Sequence, residues 1–136
     1  MTQIANPWKD YDSLAAATEA AAYPYELPEV IAGCTAEVFR VMNGELLEVR
    51  YGLDDAPLTL RYSAEENADI SGVYAEFTEA VIVDYADGST THSRAADGAE
   101  LILFHFMDRG SWSLYAPTGF PEGVAAAFTE VILEGL

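Results

Sequence analysis

The stretch from Ala99 to Ala116, AELILFHFMDRGSWSLYA, constrains the fold more than any other part of the chain. Successive residues of a strand point to opposite faces, and here both faces are apolar apart from His105. One face carries Leu101, Leu103, His105 and Met107, and the other carries Ile102, Phe104 and Phe106. We interpret the stretch as two core strands joined by a tight loop, in the middle of a sheet that is covered on both sides.

The size of the chain predicts one domain. With 136 residues, 51% of them hydrophobic, residues 1–136 can bury a single sizeable core. The start, MTQIANPWKDY, lacks the basic and apolar regions of a secretory signal, and no segment has the length of a membrane span. We therefore expect a cytoplasmic protein, or an extracytoplasmic one if an export signal has been removed before Met1.

The charge of the chain bears on its partners. Six basic residues stand against 23 acidic ones, which gives a net charge of −17. This charge opposes binding to nucleic acid and to anionic membrane surfaces, because both are themselves negative. It is compatible with a soluble acidic surface, a basic partner, divalent cations or high salt, and composition does not choose among these.

Helices are predicted at both ends of the chain. The alanine-rich segment LAAATEAAAY favours a short helix that ends near Tyr23, before Pro24. Its candidate N-caps are Asp10, Asp12 and Ser13. Residues 25–33 then form an extended connector. The last segment, GVAAAFTEVILEGL, predicts an amphipathic helix that covers the central strands. Its apolar face carries Val124, Phe128, Val131 and Ile132.

Turn dipeptides divide the middle of the chain into short strands. Asn43-Gly44 predicts a hairpin in the first half, and Asp87-Gly88 and Asp97-Gly98 predict an up-and-down meander in the second. An irregular crossing segment, residues 64–77, separates the two groups. STTHSRAA is polar and is predicted to be exposed or at an edge. The fold class is α+β: an N-terminal helix, a curved antiparallel sheet of about seven strands in two meander groups, and a C-terminal helix packed on the sheet.

Three segments together carry a family resemblance. They are Asn6-Pro7-Trp8 before the first helix, Asp69-Ile70-Ser71-Gly72-x-Tyr74 between the strand groups, and the amphipathic closing helix. This arrangement resembles uncharacterised bacterial domains of predicted lipoproteins and anti-sigma-factor-like proteins of Gram-positive bacteria. The resemblance implies a non-enzymatic extracytoplasmic or sensor-associated module, and it implies no catalytic residues. From residues 1–136 we expect neither the lipobox nor the membrane anchor of such proteins, which is a departure from the resemblance.

Few residues are candidates for chemistry. His92 and His105 are the only histidines, and we expect them to lie apart, with His105 hydrogen-bonded to a hydroxyl or carbonyl group. The single cysteine, Cys34, is interpreted as a small buried hydrophobic residue. The acidic groups Asp54-Asp55 and Glu65-Glu66-x-x-Asp69 lack the ligand pattern of a calcium loop. We predict no catalytic residue, no metal site and no cofactor.

Two features favour binding. Arg40, Arg50 and Arg61 lie on successive predicted strands and form an interaction face if they share the solvent side, the alternative being ion pairs with Glu37 and Glu48. A curved sheet that its helices fill only in part would also enclose a pocket. The candidate ligand-binding residues are Tyr62, Phe104, His105, Phe106 and Trp112, for which ordinary core packing is the alternative.

The leading hypothesis from the sequence is a small acidic binding or protein-interaction module without catalytic activity, whose partner is another protein. One alternative is a carrier of an apolar small molecule, which requires a cavity next to His105. Another is an enzyme of unrecognised type, which requires a polar cluster around His105 or His92.

Overall fold

The computed structural model describes residues 7–25, 27–52, 57–65, 70–73 and 76–135. Nine strands and two helices follow one another along this part of the chain. In chain order they are β1 (Trp8–Tyr11), α1 (Leu14–Ala20), β2 (Val30–Ile31), β3 (Cys34–Met42), β4 (Leu46–Gly52), β5 (Leu58–Ser63), β6 (Phe77–Tyr85), β7 (Gly88–Ala95), β8 (Glu100–Phe106), β9 (Gly110–Ala116) and α2 (Val124–Gly135). The α+β class is confirmed.

All strands pair antiparallel in one sheet of order β1-β3-β4-β5-β9-β8-β7-β6, and β2 pairs with β3 beside this path. Two meanders, β3-β4-β5 and β6-β7-β8-β9, meet where β5 pairs with β9, with Leu60 opposite Leu114. The two predicted strand groups are therefore confirmed. The sheet is open, with β1 and β6 at its two edges.

The strand count exceeds the prediction of about seven because neither β1 nor β2 was expected to be a strand: β1 contains the candidate N-cap Asp10, and β2 lies within the predicted connector, residues 25–33. β1 has four residues without apolar alternation and β2 has two. Both are held by backbone pairing to β3, which a hydrophobic pattern does not reveal. The prediction that STTHSRAA is exposed or at an edge is also wrong. All but its last residue lies in β7, which pairs with both β6 and β8, and Arg94 is the one exposed residue of that strand.

Both helices contribute to a core on one face of the sheet. Ser13 caps α1 by accepting the Ala16 N–H at 3.1 Å, and the small Ala17 is fully buried, so α1 can pack closely. α2 buries Val124, Phe128 and Ile132, three of the four residues expected on its apolar face. Among the described residues, no helix is both long and apolar enough to span a membrane.

The central strands β8 and β9 fill this core as predicted. Leu114 and Ile102 pair across them and are buried, as is the neighbouring Phe104. Gly88 lies opposite Phe106 where β7 meets β8, and a Cβ there would stand 2.1 Å from the carbonyl oxygen of His105. The glycine of the Asp87-Gly88 pair is thus required by the close approach of two backbones, since it is the first residue of β7 and its φ is not positive.

Candidate functional site

The three arginines of the predicted interaction face converge on one carboxylate. The strand register places Arg40, Glu48 and Arg61 in one row across β3, β4 and β5. Arg40 Nε donates to Glu48 Oε2 at 2.7 Å, and Arg61 Nε and Nη2 donate to Glu48 Oε1 at 3.0 and 2.9 Å. Arg50 Nε lies further away, 3.5 Å from Glu48 Oε2, and its side chain is half exposed. The structure thus brings all three arginines to one face, as ion pairs with Glu48.

The expectation that this face is solvated is wrong at Glu48, which is only 1% exposed. Trp8 contributes to the cover, because its ring lies 4.4 Å from the Arg40 guanidinium and 5.2 Å from that of Arg61. Arg61 Nη1 also donates to the carbonyl oxygen of Ile70 at 3.2 Å. Arg40 therefore bonds within the fold through Nε and Nη2, and Arg61 through Nε, Nη1 and Nη2. Of the three arginines, only Arg50 presents half of its side chain to solvent.

Four of the five candidate ligand-binding residues lie together in the core. Tyr62, Phe104, Phe106 and Trp112 are buried. The ring of Trp112 is centred 4.9 Å from that of Tyr62 and 6.2 Å from that of Phe106. The Trp112 indole N–H donates to the Tyr23 hydroxyl at 3.3 Å, and burial raises the pKa of Tyr23 to about 12. These rings pack against one another.

His105, the fifth candidate, lies on the opposite face of the sheet from this aromatic cluster. Its Nδ1 is 3.1 Å from Ser111 Oγ, and that hydroxyl donates to the carbonyl oxygen of Glu65 at 2.7 Å. Because a hydroxyl has one hydrogen, Nδ1–H is the donor in the first contact. Three cavities of about 500 Å³ are lined by described residues, and His105 lines none of them.

Replacing His105 with leucine should lower the free energy of unfolding by about 1 to 3 kcal/mol, because Ser111 loses a hydrogen-bond partner at a buried site. Urea unfolding at pH 7 measures this loss. Met107→Leu, at an exposed position beside it, is the control and should change stability little. An unchanged stability for His105→Leu would contradict the structural role of this histidine.

His92 lies on the helix face, on the opposite face of the sheet from His105, and the two histidines lie apart, as expected. Its Nε2 is 2.9 Å from Glu100 Oε1, to which Arg94 Nη2 also donates at 3.1 Å, and Glu100 Oε2 accepts the Phe120 N–H at 2.6 Å. Burial alone would raise the pKa of Glu100, but these three partners together lower it. This cluster was missed, although His92 and Arg94 are two apart on one strand and Arg94 pairs with Glu100 in the hairpin.

The remaining candidates are easily placed. Cys34 is buried as expected, and burial raises the pKa of its thiol. In the described part of the chain, no three His, Cys, Asp or Glu side chains are grouped as a metal site would require. Asp54-Asp55, Glu66, Asp69 and Tyr74 lie outside the described residues.

The edge strand β6 is the feature that sequence reasoning missed most clearly. It has nine residues, eight of them exposed, and Val81 and Ile82 are 64% and 63% exposed. The run Ala80–Val83 is apolar on both faces, so residues 99–116 are not alone in that property. Such a run is typical of a buried central strand, and here the topology leaves it at the edge.

An open groove follows the helix side of β6. Its volume is about 500 Å³, and its walls are α2 on one side and strands β6 to β8 on the other. We call it the β6 groove, and its lining residues are Val81, Val83, Tyr85, Thr90, His92, Ile102, Ala125, Ala126 and Thr129. The alternation of a strand places Ile82 on the opposite face, away from the groove. The edge is thus apolar on both sides.

The opposite edge of the sheet differs from β6 in length and polarity. β1 has four residues, two of which are the charged Lys9 and Asp10. Short, charged edge strands are a common protection against pairing with other chains, whereas a long apolar edge invites it. The two edges of this sheet therefore differ in their capacity to accept a further strand.

No protein-family model, curated protein or solved structure matches this chain. The resemblance to bacterial lipoprotein and anti-sigma-factor-like domains accordingly stays a prediction.

Proposed function

We propose that this protein is a non-catalytic protein-interaction module that binds an extended segment of another protein as an additional strand along β6. The observation that carries this proposal is the exposure, at the edge of the sheet, of a nine-residue strand with a central apolar run, Ala80–Val83. In strand addition, backbone hydrogen bonds supply affinity and alternate side chains supply specificity. β6 meets both requirements through its edge position and its apolar side chains.

The energetics of the exposed side chains support a bound partner. Fully burying an exposed valine or isoleucine side chain is worth about 1.5 to 3 kcal/mol, and Val81, Ile82 and Val83 are all exposed at this edge. The β6 groove lies next to Val81 and Val83, so the side chains of an added strand would extend the contact from the sheet toward α2. The absence of recognisable catalytic motifs from the sequence supports a binding role over an enzymatic one.

The test is a comparison of three forms of the protein as bait in extracts of the source cells. We expect Ile82→Lys to reduce recovery of the partner at least tenfold, because lysine at an edge disfavours strand pairing. Met107→Lys is the matched control, since Met107 is 65% exposed and lies in the turn after β8. It should recover as much partner as the wild type.

The purified partner then completes the test. Its addition should slow amide hydrogen exchange in residues 77–85 of the wild type and leave the Ile82→Lys variant unaffected. Recovery of no partner, or of a partner that both lysine variants retain equally, would contradict a function at β6.

A further inference from the structure

We infer that the segment bound along β6 is basic as well as apolar, with the antiparallel pattern basic, apolar, apolar, apolar, any residue, basic. This inference rests on the proposed function and names the chemistry of its partner. Read from the N-terminus of the bound segment, the six positions of the pattern lie opposite the residues of β6 in reverse order, from Asp84 to Glu79. We choose the antiparallel direction because every pairing in this sheet is antiparallel.

The acidic residues of β6 fix the two basic positions. Asp84 and Glu79 flank the apolar run of the strand, and both are exposed. Glu79 pairs across the sheet with Arg94, whose guanidinium donates to Glu100 at 3.1 Å. Opposite charges that face each other across two strands stabilise the pairing, and like charges weaken it. A basic residue opposite each acid therefore fits this edge, and an acidic one does not.

The apolar positions follow from the same register. Residues opposite Val83 and Val81 would lie on the helix side and enter the β6 groove, and the residue opposite Ile82 would cover the other face. The small side chain of Ala80 does not restrict which residue type the bound segment carries opposite it. The charge of the whole molecule acts in the same direction, because a net charge of −17 attracts a basic segment.

A second copy of this chain is a poorer occupant of the same edge. It would bring its own Glu79 and Asp84 to β6, together with another 17 negative charges. In the antiparallel register centred between Val81 and Ile82, Glu79 of each copy would face Asp84 of the other. The charge pattern thus favours a basic segment over self-pairing.

Two synthetic peptides test the inference on the whole 136-residue chain. The first, acetyl-SRVVVTRS-amide, carries the pattern, and the second, acetyl-SEVVVTES-amide, replaces its arginines with glutamates. We expect the arginine peptide to bind at least tenfold more tightly by isothermal titration calorimetry and to slow amide exchange in residues 77–85. Its affinity should fall as salt is raised, because the added contribution is electrostatic. The double variant Glu79→Lys, Asp84→Lys should reverse the preference toward the glutamate peptide.

Each other outcome overturns a distinct claim. Equal affinity of both peptides, with exchange slowed at β6, would overturn the basic pattern and leave strand addition at β6 standing. If neither peptide slows exchange at β6, or if both act elsewhere, the inference and the proposed function both fail. Slowing of exchange at β6 that rises with protein concentration in the absence of peptide would identify a second copy as the occupant and overturn the inference.

Discussion

Replacing Glu48 with glutamine is expected to lower the free energy of unfolding by about 3 kcal/mol, because it leaves the partly buried guanidinium groups of Arg40 and Arg61, whose side chains are 21% and 19% exposed, without their counter-charge. Glu48 is 1% exposed and accepts from both Arg40 and Arg61. Glutamine has nearly the same shape, so the loss isolates the charge from the packing. Urea unfolding at pH 7, followed by circular dichroism, measures the difference.

Glu45→Gln is the matched control for this experiment. Glu45 is exposed in the turn before β4, and its replacement makes the same change in net charge. It should alter the free energy of unfolding by no more than about 0.5 kcal/mol. If the two variants lost equal stability, the ion cluster around Glu48 would have no special role in the fold.

Replacing Phe128 with alanine is expected to cost about 3 to 5 kcal/mol, because it opens a cavity beneath α2. The Phe128 ring is fully buried and meets the Tyr51 ring edge to face, with centroids 5.0 Å apart. Tyr51 is itself fixed by the hydrogen bond that its hydroxyl donates to the Pro28 carbonyl at 2.7 Å, which limits collapse into the space. The same urea experiment measures the cost.

Val131→Ala on the same helix is the control, since Val131 is only partly buried. It should cost less than half as much as Phe128→Ala. A loss below about 1 kcal/mol for Phe128→Ala would mean that α2 is not held to the sheet by this ring.

Alternation and turn residues were sufficient to predict most of the sheet. In β4, alternation places Leu47 and Val49 on one face and Glu48 on the other, and the structure has Leu47 and Val49 in the core as this pattern predicts. The burial of Glu48 could not be predicted from alternation. Glu48 is covered in part by the Trp8 ring, which lies over Arg61, and Arg61 is held in turn by the carbonyl oxygen of Ile70. Neither contact follows an alternating pattern. A strand pattern assigns faces, whereas burial also depends on segments distant in sequence.

The same limit explains why the candidate site was missed. Val81 and Ile82 are residues typical of a central strand. Only the strand order shows that, among the described residues, β6 pairs with another strand on one side alone. Strand order depends on how the two meanders join, which is decided by the distant pairing of Leu60 with Leu114. That His92 and His105 lie apart was predictable from the different composition of their two strands, and alternation then places them on opposite faces of the sheet.

The pairing of β5 with β9 has a consequence for the kinetics of folding. The hairpins within each meander join strands that are neighbours in sequence, but β5 and β9 are separated by the crossing segment and three further strands. Closing so long a loop costs entropy before any contact is gained, and topologies rich in such contacts fold slowly. We expect the two meanders to assemble first and their docking along Leu60 and Leu114 to limit the rate.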